Sequence, residues 1–334
     1  MAENAVLTHM PRLQKEFFEQ NETLDDSIAP FRELTSGAVD TLLRISMRRS
    51  ERWRKMKYDL KKDNEEIEES FFVPKEMTVF SWQGEIDTIM TPLDSMKYYK
   101  SFFRPGMMSM DPTNGYIKAW VGGMNYRHFQ YDMVKKGKRQ IGSTFKPFVY
   151  AAAIDQLKLS PCDTFPDSQF CIEKNKFGNV EQWCPKNSGD KYGRTRTLKN
   201  ALANSVNTVT ARLMDRIGPR TVVKLAKDLG IEQRILPVPS IAFGTPDLSV
   251  YEMVAAYSTF ANKGVYTQPV FIERIEDKNG TTLYENKPVT RDVLSEEAAY
   301  VTVNLLEGVT KAGSGTRLRT TGADEFNRAY QNVV

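Results

Sequence analysis

Two histidines and three cysteines are all that 334 residues offer for soft metal ligation. Cys162, Cys171 and Cys184 share one polar stretch without paired C-x-x-C spacing, and His9 and His128 are remote in sequence, which argues against a zinc site. Long apolar runs are missing as well. Nothing approaches the roughly 18 consecutive apolar residues of a membrane span, and no signal peptide opens the chain. The chain as given is therefore expected to be soluble, which leaves open an anchor in a longer parent. Excess charge of one sign is scarce too, since 46 Lys and Arg against 42 Asp and Glu leave a net +4. So small a surplus, with no basic-aromatic module, argues against nucleic acid as a partner. Cys171 and Cys184 could close a disulfide in an oxidising compartment, worth about 3 kcal/mol in chain-entropy terms, or remain free half-buried thiols.

What the chain does have is concentrated in Gln140-Ile141-Gly142-Ser143-Thr144-Phe145-Lys146-Pro147-Phe148-Val149-Tyr150. After Gly142 the residues Phe145, Phe148, Val149, Ala152 and Ala153 recur at helical spacing, which predicts a helix with an apolar stripe facing a core. Pro147 is tolerated near the start, where backbone N–H groups have no intrahelical partner. Ser143 and Lys146 then lie about one turn apart on one face. A serine needs a neighbour to take its proton, and a lysine desolvated by apolar walls can lose its charge and do so. The positive helix end adds a backbone N–H for a developing oxyanion. Ser188-Gly189-Asp190-Lys191 has the same spacing but lies in a polar Gly/Asn/Asp stretch, expected to be a loop. Spacing alone does not separate a nucleophile from an N-cap serine beside a solvated lysine.

Residues 1 to about 72 read as helical and charged. The mostly basic run Arg48 to Lys62 gives way to Asp63, Glu65, Glu66, Glu68 and Glu69, which predicts a helical hairpin with mutually attracting limbs. A linker or pedestal is expected here, its basic face either solvated or touching anionic lipid. Beyond it, Met77 to Trp82 alternates like a strand. Gly106 to Met110 and Tyr116 to Val121 flank a Pro/Asn-Gly turn, which predicts a β-hairpin. Helices are expected over Thr197 to Ala203, Val209 to Ile217 and from Pro219 to near Gly230. Ser249-x-x-Glu252 is a capping box ahead of Val250 to Asn262. Phe271 to Ile275 and Thr282 to Glu285 bracket Asn279-Gly280 as a second hairpin, and a helix follows from Ser295 to about Val309. This order predicts an α+β fold, an antiparallel sheet packed on a helical block.

A second polar triplet, Ser205-Val206-Asn207, sits at the expected break between two helices. A hydroxyl there can relay a proton, and an amide can hold a lysine or a substrate carbonyl. The plain alternative is a helix cap. Taken in order, S-x-x-K and S-x-N make the pattern of the penicilloyl serine transferases. The chain resembles the transpeptidase region of class A, bifunctional penicillin-binding proteins. Gly115 to Gly123 (GYIKAWVGG), Arg139 to Tyr150 (RQIGSTFKPFVY) and Thr197 to Asn207 (TLKNALANSVN) carry the likeness, with Ile241 to Pro269 and Leu305 to Arg317 (LLEGVTKAGSGTR).

The resemblance implies a penicillin-binding-protein/β-lactamase-like transpeptidase fold over residues 73–334, after a linker at 1–72. It implies a D,D-transpeptidase in which Ser143 attacks the penultimate D-Ala carbonyl of a peptidoglycan stem peptide. Lys146 would be the base, Ser205 the proton shuttle, and Asn207 the group holding Lys146 and the substrate backbone. β-Lactams would acylate Ser143, with no cofactor and no metal. Partners would be stem peptides, lipid II-derived glycan strands and other cell-wall synthesis proteins. The setting would be the periplasmic, extracytoplasmic face of the cytoplasmic membrane, reached through an anchored parent.

One part of the pattern is absent. The third motif, K-T-G or K-S-G, occurs nowhere, and Thr320-Thr321-Gly322 is the nearest substitute. The chain therefore reads as a transpeptidase truncated before that strand. Other readings are a non-catalytic penicillin-binding sensor or scaffold, and a serine β-lactamase of related fold.

Overall fold

The computed structural model describes residues 1–21, 31 and 34–320. The chain divides into two units, one of Met1–Pro105 with Val121–Tyr131, the other of Gly106–Trp120 with the residues from Asp132 onward.

In the first unit the charged stretch is helical but repeatedly interrupted. Helix Ser36–Arg49 starts where the Thr35 hydroxyl accepts from the Ala38 N–H, and it buries Val39, Leu43 and Met47 at four-residue spacing. Ser50 restarts the chain as a cap for Glu51–Arg54, a π-helical turn covers Lys55–Asp59, and Asp63 caps Asn64–Glu69. The basic limb of the expected helical hairpin is therefore built from short helical segments, broken at Ser50. Arg44–Glu68 (3.5 Å) and Lys62–Glu66 tie basic to acidic segments, and such exposed pairs contribute about 0–1 kcal/mol. Burial does more. Met47 closes on Ile67 and Phe71, and Phe80, Phe102, Met124 and Phe129 form an aromatic cluster beneath the hairpin Lys75–Ser81/Gly84–Met90.

The second unit is built around helix Lys146–Leu157. Its residues from Lys146 to Ile154 are all buried, so the expected apolar stripe is in fact a helix enclosed on every side. Helices Asn207–Ile217, Pro219–Asp228 and Glu296–Ala312 pack on it. Val209, Leu213, Leu225 and Leu305 join Phe148 and Val149 in one core. Short sequence signals hold. The Ser249 hydroxyl and the Glu252 carboxylate form the reciprocal capping box of helix Val250–Ala261, and Arg274–Glu276 pairs with Thr282–Glu285 across the Asn-Gly turn. The hairpin Met107–Met110/Ile117–Val121 forms as well. Strand pairing is antiparallel in the ladders Lys75–Ser81/Gly84–Met90, Arg274–Glu276/Thr282–Glu285, Val265–Thr267/Thr290–Asp292, Lys138–Gln140/Asp247–Ser249 and Thr164–Pro166/Thr195–Thr197, but among the described residues the strands form six two-stranded sheets rather than one. Thr321 and Gly322, two of the three residues of the nearest substitute for the third motif, lie outside the described residues.

Candidate active site

Ser143 enters the central helix through a 3₁₀ turn, Gly142–Phe145, rather than through its first α turn. The difference matters geometrically. Side chains at i and i+3 eclipse in a 3₁₀ helix, so Ser143 and Lys146 stand in line, and the Lys146 N–H donates to the Ser143 carbonyl. The turn is held from behind by backbone alone. Gly142 (φ 57°) donates to the Gly244 carbonyl at 2.9 Å, and a Cβ on Gly244 (φ 68°) would stand 1.7 Å from the Gly142 oxygen. The Tyr257 hydroxyl fastens the other side, donating to the Thr144 carbonyl at 2.6 Å.

The two ends of the pair differ in exposure. Ser143 is exposed, whereas Lys146 is 1% exposed. Lys146 Nζ donates to three neutral acceptors: the Ser205 carbonyl at 2.6 Å, Ser205 Oγ at 2.8 Å and Asn207 Oδ1 at 2.6 Å. Burial pulls its pKa from the ordinary 10.5 down to about 8. An ammonium has three protons for these three acceptors, so the charged form is saturated. The neutral amine keeps two of those bonds and gains a lone pair.

Ser205 reaches Lys146 from the break between helices Leu198–Ala203 and Asn207–Ile217, with φ at 54°. A non-glycine residue in the left-handed region costs on the order of 1–3 kcal/mol and is held there by its surroundings. That conformation turns both the carbonyl and the hydroxyl of Ser205 onto one amine. Ser143 and Lys146 share no side-chain hydrogen bond. Lys146, Ser205 and Asn207 meet, and Ser143 stands one turn away on the open side. The discarded Ser188-Gly189-Asp190-Lys191 is an exposed 3₁₀ loop whose Gly189 and Asp190 have positive φ.

Sequence reasoning missed the wall around the amine. The Phe243 ring lies 5.5 Å from Lys146 Nζ, and Trp183 packs against Phe243 at 4.9 Å. Trp183 adjoins Cys184, which is disulfide-bonded to Cys171, so the bridge left open above is formed and anchors this wall. Cys162 stays free and exposed. No local pattern marks Phe243 as special, because it comes to Lys146 from a segment distant in sequence, beside the Gly142–Gly244 contact.

A serine aligned with a buried lysine, and a Ser-x-Asn turn closing on that amine, is the arrangement of the penicilloyl serine transferases, set here on mixed helix and sheet. The chain belongs to the penicillin-binding protein transpeptidase family. The model of the penicillin-binding protein transpeptidase domain matches residues 105–325, and that of the penicillin-binding protein middle domain matches residues 26–103. Among curated relatives, penicillin-binding protein 1A of Aquifex aeolicus is 35% identical over 235 residues, which cover 67% of this chain and 32% of that protein. Penicillin-binding protein 2D of Bacillus subtilis is 34% identical over 224 residues, with the same two shares. This chain thus spans about a third of the length of these relatives. The crystal structure of penicillin-binding protein 1A from Haemophilus influenzae superposes with a TM-score of 0.60 at 24% identity, over 64% of this chain and 37% of that one, a likeness of fold. Among the described residues no helix is long and apolar enough to cross a membrane.

Proposed function

We propose that this chain carries the acylation machinery of a D,D-transpeptidase that cross-links peptidoglycan stem peptides. The observation that bears most weight is the burial of Lys146 against three neutral acceptors, in line with Ser143. With a pKa near 8 the amine is neutral often enough to take the Ser143 proton. Ser143 Oγ then adds to the penultimate D-Ala carbonyl. The oxyanion is met by the Ser143 N–H, which lies in the first turn where helical N–H groups lack ladder partners. The proton returns through Ser205 Oγ to the departing D-Ala amine, and the acyl group passes to an amine of a second stem peptide. A β-lactam ring opens on the same oxygen and stays there. The setting this implies is the extracytoplasmic face of the cytoplasmic membrane.

A second reading, for residues 1–334 taken by themselves, is penicillin binding without peptide exchange, because these residues hold no K-T-G or K-S-G tripeptide. In the family pattern that strand supplies a cation for the substrate carboxylate and a second oxyanion donor. Losing one such donor costs on the order of 10²–10³ in rate.

Intact-mass spectrometry with benzylpenicillin tests acylation. The expected result is a slow adduct mapping to Ser143 and abolished in Ser143→Ala, with a rate that climbs through about pH 8. Exchange of a D-Ala-D-Ala peptide onto an amine acceptor separates transpeptidase from binder. Labelling that survives Ser143→Ala, or no adduct after prolonged incubation, would overturn the acyl-enzyme reading.

A further inference from the structure

The helix that carries Asn207 begins without a cap of its own. Its N-cap residue is Val206, which has no side-chain acceptor. The acceptor comes instead from Asn187, twenty residues upstream: its Oδ1 takes the Asn207 N–H at 3.0 Å and the Thr208 N–H at 3.2 Å. First-turn N–H groups have no intrahelical partner, so at this helix the acceptor has to come from outside it. Asn187 is in turn oriented from its other end, where Nδ2 donates to Asp167 Oδ1 at 2.7 Å and to the Lys191 carbonyl at 2.9 Å.

Asp167 is fully buried. Besides Asn187, its carboxylate accepts from Thr208 Oγ1 at 2.7 Å, Arg196 Nε at 2.6 Å and the Gly193 N–H at 3.0 Å. Burial opposes its ionisation, but the bonds from Arg196, Thr208 and Asn187 outweigh that and hold it below the usual carboxylate range. Two of its four partners, Asn187 and Thr208, bind the first turn of the Asn207 helix. The amide of Asn207 is then left one orientation. Its Nδ2 donates to the Lys186 carbonyl at 2.7 Å, which leaves Oδ1 to face Lys146 Nζ.

We propose that Asp167 is a positioning residue of the serine–lysine site, acting through Asn187 to fix Asn207 and thereby aim the Lys146 amine. The inference rests on the reading of Lys146 as the base. Asp167 touches neither Ser143 nor Lys146. Its work is to hold the Ser-x-Asn turn so that a saturated amine loses one proton without losing its place. A carboxylate suits this post because it accepts from all four donors at once, which a neutral amide cannot. The polar loop around Ser188-x-x-Lys191, empty of catalytic meaning by its motif, gains one as the carrier of Asn187.

The test reads the Lys146 titration directly, by NMR of its labelled Cε/Nζ group, in the unsubstituted 334-residue chain and in Asp167→Asn and Asn187→Ala. The second variant leaves the Asp167–Arg196 pair intact and decides the matter if the first fails to fold. Hydrogen bonds accepted from an ammonium stabilise its charged form, so loosening Asn207 lowers the Lys146 midpoint. A downward shift of about one pH unit in a folded Asn187→Ala is expected. Benzylpenicillin labelling of Ser143 falls about tenfold at a pH where both proteins hold the amine neutral. A folded Asn187→Ala with lowered Tm but an unmoved Lys146 midpoint would overturn the proposal and leave Asp167 a staple. If the parent chain forms no adduct at Ser143, the acyl-transfer reading fails on its own, and the titration still decides the positioning.

Discussion

The ring of Phe243 stands 5.5 Å from Lys146 Nζ, whose three protons go to the Ser205 carbonyl, Ser205 Oγ and Asn207 Oδ1. This contact cuts both ways. The face of the ring attracts the cation, by roughly 0.5–2 kcal/mol, while the bulk of the ring keeps water away. Since burial is what depresses the pKa, the second effect wins. Phe243→Ala is therefore expected to raise the Lys146 midpoint from about 8 toward 10.5, opposite in sign to the loss of Asn187. Each unit regained lowers the neutral fraction, and with it penicillin labelling at neutral pH, about tenfold. NMR titration of Lys146 beside a labelling time course checks both.

The same depressed pKa has a signature in stability. Between about pH 8 and 10.5 the unfolded chain holds a proton on Lys146 that the folded chain has released. Unfolding free energy therefore rises with pH across that window, and below it the folded state carries the full penalty, on the order of 3 kcal/mol. Other lysines and tyrosines titrate in the same range, so the measurement is a difference. Urea denaturation of the parent and of Lys146→Met, from pH 7 to 10.5, is expected to show the parent gaining on the variant as pH rises. Parallel curves would contradict the burial of a titrating amine.

Ser205 separates strain from chemistry. With φ at 54°, its backbone sits where glycine is at ease and a side chain is not. Ser205→Ala removes the hydroxyl and keeps the strain, whereas Ser205→Gly removes both. The glycine variant is expected to be more stable than the alanine variant by about 1 kcal/mol, with the two equally slow in labelling Ser143. Paired denaturation and labelling measurements test this. A glycine variant that is the less stable of the two would place the strain elsewhere.

Much of this architecture could be read before any coordinates, and the reason is locality. The Ser249/Glu252 capping box, the Asn279-Gly280 turn and the Pro219 helix start are decided within a few residues of themselves. Ser143, Lys146, Ser205 and Asn207 were legible as two short motifs, and the structure brings the last three into hydrogen-bond contact. The 3₁₀ form of the serine turn was not legible, because the Gly142–Gly244 contact that backs it joins residues far apart in sequence. Phe243, Asn187 and Asp167 were invisible for the same reason: each acts through partners from distant segments. The charge reversal after Lys62 pointed to a helical hairpin but said nothing of the Ser50 and Asp63 caps that divide it into short segments.

That Gly142–Gly244 contact yields the sharpest stability prediction. A Cβ at Gly244 would overlap the Gly142 oxygen at 1.7 Å, and a backbone φ of 68° is itself strained for alanine. Neither neighbour can give way, since both are backbone and Gly142 leads directly into the serine turn. Gly244→Ala is expected to cost about 3 kcal/mol or more, at the upper end of overpacking substitutions. Gly37, inside helix Ser36–Arg49 with open space around its Cβ direction, is the matched control. There alanine is expected to stabilise by about 0.5–1 kcal/mol through helix propensity alone. Differential scanning calorimetry of the two variants should move Tm in opposite directions. Gly244→Ala, held at a temperature where it remains folded, should also label Ser143 more slowly, because the turn that aligns the hydroxyl with Lys146 has been displaced. A Gly244→Ala protein with parental Tm and parental labelling would show that the serine turn does not depend on this backbone contact.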